Sequence, residues 1–149
     1  MDLGDSRQHV GVSDRLTFQL YAASRAMVGA YRRELQAFNL TYTQYLTLQA
    51  IWGGDGRPVT ELCEQLELDS GTVSPLLARL EQGGFISRER AGVDGRQVRV
   101  FCTEQGWGLR DQLANVPGGT RGVDGLSDDE LQNLSSLLDT LRAAVRSGS

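Results

Sequence analysis

The sequence predicts a mainly α-helical protein that carries one small β-hairpin. Apolar residues recur every three to five positions through most of the chain, which is typical of amphipathic helices. The pattern changes at "FISRER" and "QVRVFC", two short β-rich runs joined by "AGVDGR", as expected for two strands and a turn. Glycine-rich stretches such as "GGDGRP" separate the periodic segments and predict turns.

Three helices are predicted before the middle of the chain. The first runs from Ser13, its expected N-cap, to about Phe38, with leucine, alanine and methionine on one stripe. Thr41 is the expected cap of the second helix, which ends at "GGDGRP". A short third helix is predicted from Pro58 to Leu66.

The remaining elements complete a recognisable order. A fourth helix lies in "DSGTVSPLLARLEQGG" and ends at the glycine pair, after which the hairpin begins. Thr103 begins a fifth helix that runs to about Asn115, and "VPGGTRGVDG" is a loop. Ser127 and Glu130 form a capping box before a last, leucine-striped helix. Helix, tight turn, helix and hairpin in succession are the plan of a winged helix-turn-helix.

Length and composition are those of an ordinary globular protein. The 149 residues are 40% hydrophobic and 23% charged, which is enough to bury a core. No apolar run approaches the roughly 18 residues of a membrane helix, and the N-terminal segment lacks the apolar core of an export signal. Two cysteines do not make a disulfide framework, so the sequence predicts a cytoplasmic protein with no membrane partner.

Residue types typical of catalysis are scarce. His9 is the only histidine and lies in the N-terminal tail, so neither a zinc site with the two cysteines nor a Ser-His-Asp set is predicted. The glycine stretches match no phosphate-binding loop. The sequence therefore predicts no enzyme, no metal site and no cofactor.

Charge is distributed unevenly along the chain. The net charge of −4 argues against a protein that coats nucleic acid through bulk charge. However, residues 79–110 hold six arginines against four acidic residues, while much of the acidic excess lies in "DGLSDDE" near the C-terminus. The pattern is compatible with a local basic footprint.

The leading half of the fourth helix is small and polar, whereas its trailing half is rich in leucine. In a helix-turn-helix, the first residues of the second helix meet base edges in the major groove and the other end enters the core. The segment could also be only a good helix cap, but the hairpin that follows favours DNA binding. The predicted major-groove residues are Ser70, Thr72, Ser74, Pro75 and Arg79.

The hairpin supplies the second predicted contact. Arg96 at its tip suits the narrow minor groove, and Asp94 is placed to orient it. Arg88, Arg90 and Arg99 are predicted to contact phosphates, which position a protein without reading sequence. Solvated strand charge is the alternative interpretation, and it applies more to Arg88 and Arg99 than to Arg96.

These segments resemble the MarR family of bacterial transcription regulators. The resemblance is carried by "SGTVSPLLARLEQGGFISRERAGVDGRQVRVFCTEQG", which is similar to that family's recognition helix, wing and following helix. "LYAASRAMVGAYRRELQAFNLTYTQYLTLQAIW" and the loop "NVPGG" are similar to the organic-hydroperoxide-sensing (OhrR-type) branch. The resemblance extends from about Arg15 to Val145. It implies a homodimeric repressor that binds a pseudo-palindromic operator in double-stranded DNA.

The resemblance also implies a division of labour within the chain. Residues 1–12 are expected to be a disordered tail and residues 13–146 a single domain. Within it, residues 42–102 are the predicted DNA-binding lobe. Helices in 13–38 and 103–146 are the predicted dimerisation region, because long apolar stripes need a partner and a second copy is the simplest one.

One position departs from the OhrR-type branch. Its sensors carry a peroxide-reactive cysteine at the position of Thr17, supported by two tyrosines that match Tyr31 and Tyr42. A threonine hydroxyl cannot form a sulfenic acid. We therefore expect a pocket formed by Thr17, Phe18, Tyr21, Tyr31 and Tyr42 to bind a small apolar or aromatic effector, which releases the repressor from DNA.

Two alternatives remain at this level. Cys63 or Cys102 could have taken over a redox response to stress, although buried free cysteines usually act as small apolar residues, and a reactive one needs exposure and a lowered pKa. The winged helix could instead mediate protein contacts without DNA. The sequence pI of about 5.0 favours that alternative slightly, and the arginine-bearing wing argues against it.

Overall fold

A computed structural model describes residues 11–115, 123 and 125–148 of the chain. The predicted tail up to residue 10 and most of the loop at 116–125 lie outside the described residues. Two compact units are distinguished, one ending at Gly118 and the other beginning at Gly119. In chain order the elements are α1 (Val12–Leu35), a 3₁₀ turn (Gln36–Phe38), α2 (Tyr42–Trp52), β1 (Arg57–Pro58), α3 (Val59–Leu66), α4 (Ser70–Gln82), β2 (Ile86–Ala91), β3 (Gln97–Cys102), α5 (Glu104–Leu113) and, in the second unit, α6 (Asp128–Ser147).

The first helix starts and ends earlier than the sequence predicted. Gly11 is its N-cap, so the prediction of Ser13 as the cap is wrong: Ser13 already lies inside the helix. Apolar spacing places a helix but does not fix its terminal residue. α1 ends at Leu35 and a 3₁₀ turn follows, after which Asn39 adopts a left-handed conformation with φ of 54° and redirects the chain towards α2.

Two predicted helix caps are confirmed, and a third residue moves by one position. The Thr41 hydroxyl accepts a hydrogen bond from the Gln44 N–H at 3.2 Å, and the Ser127 hydroxyl accepts one from the Glu130 N–H at 3.2 Å. Both are reciprocal capping boxes, which satisfy backbone donors at the start of each helix. Thr103 caps α5 instead of beginning it.

The predicted hairpin belongs to a small antiparallel sheet with the strand order β1-β3-β2. β2 and β3 pair along all six residues, starting with Ile86 opposite Cys102. β1 is not predicted by the sequence pattern, in which Pro58 belongs to the third helix. Pro58 instead ends β1 and is the N-cap of α3. A strand of two residues leaves no periodic signal in a sequence.

The core of the first unit lies where its helices meet the sheet. Every element from the end of α1 to α5, except the 3₁₀ turn and the two-residue β1, sends at least one buried apolar side chain into it. α4 contributes three, and Val73 among them was not singled out by the sequence. The most deeply buried apolar side chains are Leu35, Leu48, Ile51, Leu62, Val73, Leu77, Leu80, Ile86 and Val100.

The turn between α4 and β2 is fixed by backbone hydrogen bonds. The Phe85 N–H donates to the Leu80 carbonyl and the Gly84 N–H to the Glu81 carbonyl, both at 3.0 Å. This pair of bonds is a Schellman-type helix end, which requires a left-handed residue, and Gly84 supplies it with φ of 82°. The direction of β2 is therefore set by the end of α4.

The start of α5 packs directly on this turn. The Thr103 N–H donates to the Phe85 carbonyl at 3.0 Å, and the Thr103 hydroxyl donates to the Gly84 carbonyl at 2.6 Å. A methyl group added to Gly106 would lie 2.2 Å from the Phe85 carbonyl oxygen and 2.6 Å from Cys102 Sγ. The contact thus depends on the absence of a side chain at Gly106.

We expect Gly106→Ala to lower the free energy of unfolding by about 1–3 kcal/mol, because the methyl group collides with backbone that cannot move without disturbing the turn. Gly108→Ala in the same helix is the matched control, since nothing lies within 4 Å of the added methyl group. It should be neutral or stabilise the protein by up to about 1 kcal/mol through helix propensity. Urea denaturation measures both, and equal effects of the two substitutions would contradict the close approach.

Candidate nucleic-acid interface

α4 has one buried face and one exposed face. Val73, Leu77 and Leu80 are almost completely buried against the domain. The predicted major-groove residues all lie on the exposed side: Ser70, Thr72, Ser74, Pro75 and Arg79. The structure therefore brings the five predicted residues to one solvent-facing surface, as docking into a groove requires.

The first turn of α4 is capped by a side chain and carries only small residues. The Asp69 carboxylate caps the helix by accepting a hydrogen bond from the Thr72 N–H at 2.7 Å. Pro75 lies inside the helix, where it lacks the N–H that would otherwise donate to the carbonyl four residues earlier. The helix nevertheless continues through it. Small side chains thus surround a regular, exposed first turn.

The tip of the wing is a tight turn that presents one arginine. Gly92 and Gly95 both have positive φ, and the Gly95 N–H donates to the Gly92 carbonyl at 3.2 Å. Asp94 accepts from the Arg96 backbone N–H at 3.3 Å and lies 3.4 Å from Arg96 Nε. Because the Arg96 side chain is still 87% exposed, Asp94 orients it without hiding it.

The other two predicted wing arginines differ from each other. Arg88 is engaged by Glu81 of α4, with 3.0 Å between Arg88 Nη2 and Glu81 Oε1. Arg90 is exposed and has no ion pair among the described residues. Sequence reasoning missed Glu81, because a pair seven residues apart that joins a helix to a strand follows no regular spacing.

The predicted effector residues fall into two groups. Tyr31 and Tyr42 are half-buried with ring centroids 5.0 Å apart, and Tyr45, which the sequence did not single out, lies 5.8 Å from Tyr31. Burial raises the pKa of Tyr42, and the neighbouring Tyr31 raises it further. Tyr31, Tyr42 and Tyr45 form a tyrosine cluster, in which burial also raises the pKa of Tyr45.

Thr17, Phe18 and Tyr21 are exposed on the first half of α1. Thr17 and Tyr31 lie fourteen residues apart on this one continuous helix. That spacing corresponds to about 21 Å at the rise of an α-helix. The structure therefore does not bring Thr17 to the tyrosine cluster within a single chain.

Both cysteines are partly buried thiols. Burial raises the pKa of Cys102, and its Sγ lies 3.5 Å from the Thr103 carbonyl oxygen. A raised pKa lowers the thiolate fraction on which reaction with peroxide depends. Within residues 11–115, 123 and 125–148, His, Cys, Asp and Glu form no group that could hold a metal ion. None of the helices described there is long and apolar enough to span a membrane.

Comparison with known proteins identifies relatives of this architecture. The family model described as transcriptional regulator SarA/Rot matches residues 31–113. The organic hydroperoxide resistance transcriptional regulator of Bacillus subtilis (strain 168) is 41% identical over 133 residues, which cover 89% of this chain and 90% of the relative.

Two solved structures are similar in fold. Reduced AbfR bound to DNA aligns with a TM-score of 0.75 and 29% identity, covering 89% of this chain and 92% of AbfR, a protein of Staphylococcus epidermidis. A mutant MarR from E. coli in complex with operator DNA aligns with a TM-score of 0.79, covering 85% of this chain and 93% of MarR, and at 23% identity it supports the fold alone. With its winged helix-turn-helix and its 41% identity to the Bacillus regulator, the chain belongs to the MarR family of transcriptional regulators, near the organic hydroperoxide resistance branch.

Proposed function

We propose that the protein is a homodimeric repressor that binds a pseudo-palindromic operator in DNA and leaves it when a small apolar or aromatic effector binds. The observation that carries the proposal is the exposed polar face of α4 beside a wing that presents Arg96. AbfR and MarR, which share the fold, were solved with DNA. The proposed role is regulatory and cytoplasmic, and it requires no catalytic group.

The two long terminal helices support the proposed dimer. Phe18 and Tyr21 on α1 are 68% and 62% exposed, and Leu137 and Val145 on α6 are 60% and 63% exposed. Apolar side chains exposed along a helix favour association. A second copy would cover them, and a two-fold dimer would present its recognition helices about 34–36 Å apart, one turn of DNA.

The proposed effector pocket follows from the two separated groups of residues. Thr17 cannot reach the tyrosine cluster of its own chain, since about 21 Å of helix lies between them. A pocket that contains both groups therefore needs α1 of a second copy. An effector bound there would contact both protomers, so its binding would depend on their relative position.

We expect Arg96→Ala to weaken binding to the protein's own upstream DNA by about 5- to 150-fold for each half-site and to reduce the salt slope by about 2, because the dimer loses one guanidinium contact at each half-site. Arg142→Ala on α6 is the control, since it removes the same charge outside α4 and the wing. Fluorescence anisotropy at several salt concentrations measures both quantities. Failure of the parent protein to bind any upstream sequence would overturn the proposed function.

We expect an organic hydroperoxide to leave DNA affinity unchanged, because Thr17 has no sulfur and burial holds the pKa of Cys102 high. The Cys63→Ser, Cys102→Ser double variant should behave like the parent in the same anisotropy assay. Release of DNA by peroxide that is reversed by a thiol would instead assign the sensing role to Cys63 or Cys102.

Thr17→Cys should introduce peroxide-dependent release of DNA. It places a thiol on the helix that a second copy would bring to Tyr31 and Tyr42, whose rings pack against each other. The measurement is DNA affinity before and after hydroperoxide treatment. Phe18→Cys, one residue further along the same exposed helix, is the matched control and should not respond. An equal response of the two variants would argue against a specific site at Thr17.

A further inference from the structure

Glu81 binds Arg88 through both of its carboxylate oxygens. One carboxylate oxygen, Oε1, lies 3.0 Å from Nη2 and 3.3 Å from Nε of the guanidinium. The other, Oε2, accepts the backbone N–H of Arg88 at 2.9 Å. A single carboxylate therefore holds both the side chain and the main chain of one residue, which fixes direction as well as distance.

The Glu81–Arg88 pair joins the two elements that face DNA in the proposed function. Glu81 lies in the last turn of α4, and Arg88 is the third residue of β2. β2 is an edge strand of its sheet, so the Arg88 N–H that points away from β3 has no strand partner. Glu81 satisfies this donor and ties the edge of the wing to α4.

The pair contributes more to geometry than to stability. The side chains of Arg88 and Glu81 are 31% and 39% exposed, and ion pairs of this exposure stabilise a fold little. The hydrogen bond from Arg88 holds the pKa of the Glu81 carboxyl below its usual range, so the pair remains ionised at neutral pH. Loss of the pair should therefore leave the protein folded.

The Glu81–Arg88 pair lies on β2 well before the wing tip, so it can affect where the tip lies. From Arg88 the strand runs about 13 Å to the turn at Gly92, at the usual rise of a β-strand. Arg96 lies just beyond that turn and has its nearest ionic partner within the turn itself, in Asp94. A small rotation of β2 at Arg88 would therefore move Arg96 substantially relative to α4.

We propose that Glu81 is a positioning residue for DNA binding, which sets the distance between α4 in the major groove and Arg96 in the minor groove and keeps Arg88 away from phosphates. This inference rests on the proposed function. It replaces the expectation that Arg88 contacts phosphate with a role in orienting the wing.

The test is a double-mutant cycle between Glu81→Gln and Arg96→Ala, scored by affinity for the upstream DNA. Glu81→Gln should weaken binding by about tenfold and reduce the salt slope by no more than Arg96→Ala does, because the Arg96 contact is the one that it disturbs. In that background Arg96→Ala should cost much less than in the parent, since Arg96 is already misplaced. Two residues that do not touch would then be coupled, which a purely structural role of Glu81 would not produce.

Glu89→Gln is the matched control, because it removes the same charge from the neighbouring position of β2 without disturbing Arg88. Its effect should add to that of Arg96→Ala. Arg88→Gln provides a second route, and it should match Glu81→Gln in both affinity and salt slope. Urea midpoints close to that of the parent would show that all variants are folded.

Three results would overturn the inference. Tighter binding by Glu81→Gln with a steeper salt slope would mean that Glu81 only competes with phosphate for Arg88. A salt slope reduced further in Arg88→Gln than in Glu81→Gln would mean that Arg88 itself contacts phosphate. Strict additivity of Glu81→Gln and Arg96→Ala would mean that the wing is positioned without Glu81. Failure of the parent to bind DNA, or full affinity of Arg96→Ala alone, would instead count against the proposed function.

Discussion

The close approach of α5 to the turn after α4 is the constraint on which the proposed DNA-facing surface, formed by α4 and the wing, depends. Thr103 donates to two carbonyls of this turn, at Gly84 and Phe85, and Gly106 leaves no gap beside the second. The contacts are between backbone atoms or one short side chain, so they allow little sliding. Because α4 ends and β2 begins in the same turn, a displacement of α5 must move both, and the surface responds as one body.

The opposite edge of the wing is held by the loop before α3. The Asp55 carboxylate accepts the Cys102 N–H at 2.7 Å, and the Gly56 N–H donates to the Val100 carbonyl at 2.9 Å. The Arg99 guanidinium donates to the Gly56 carbonyl at 2.8 Å, so this side chain stabilises the loop. With Glu81 on the other edge, the base of the wing is fixed on both sides and only its tip projects freely.

The sequence predicted those features that depend on near neighbours in the chain. Thr41 and Ser127 cap helices through residues three positions on, and the six α-helices of the described residues were each predicted from local sequence. The features that the sequence did not predict depend on contacts between different elements. Examples are the pairing of β1 with β3 and the ion pair between Glu81 and Arg88. The Ser13 error is of another kind, since several residues near a helix start can serve as its cap.

The tyrosine cluster has a packing role that does not depend on position 17. Tyr31 and Tyr42 pack against the buried core, so their loss would cost stability whatever residue occupies position 17. The cluster therefore stabilises the first unit by packing, and it leaves an aromatic surface that Thr17 of the same chain cannot reach. If a second copy brings its own α1 to that surface, a ligand between them is linked to the spacing of the two DNA-binding lobes. Such a ligand releases DNA only if it binds one spacing more tightly than the other, and a site divided between two protomers meets that condition by its construction.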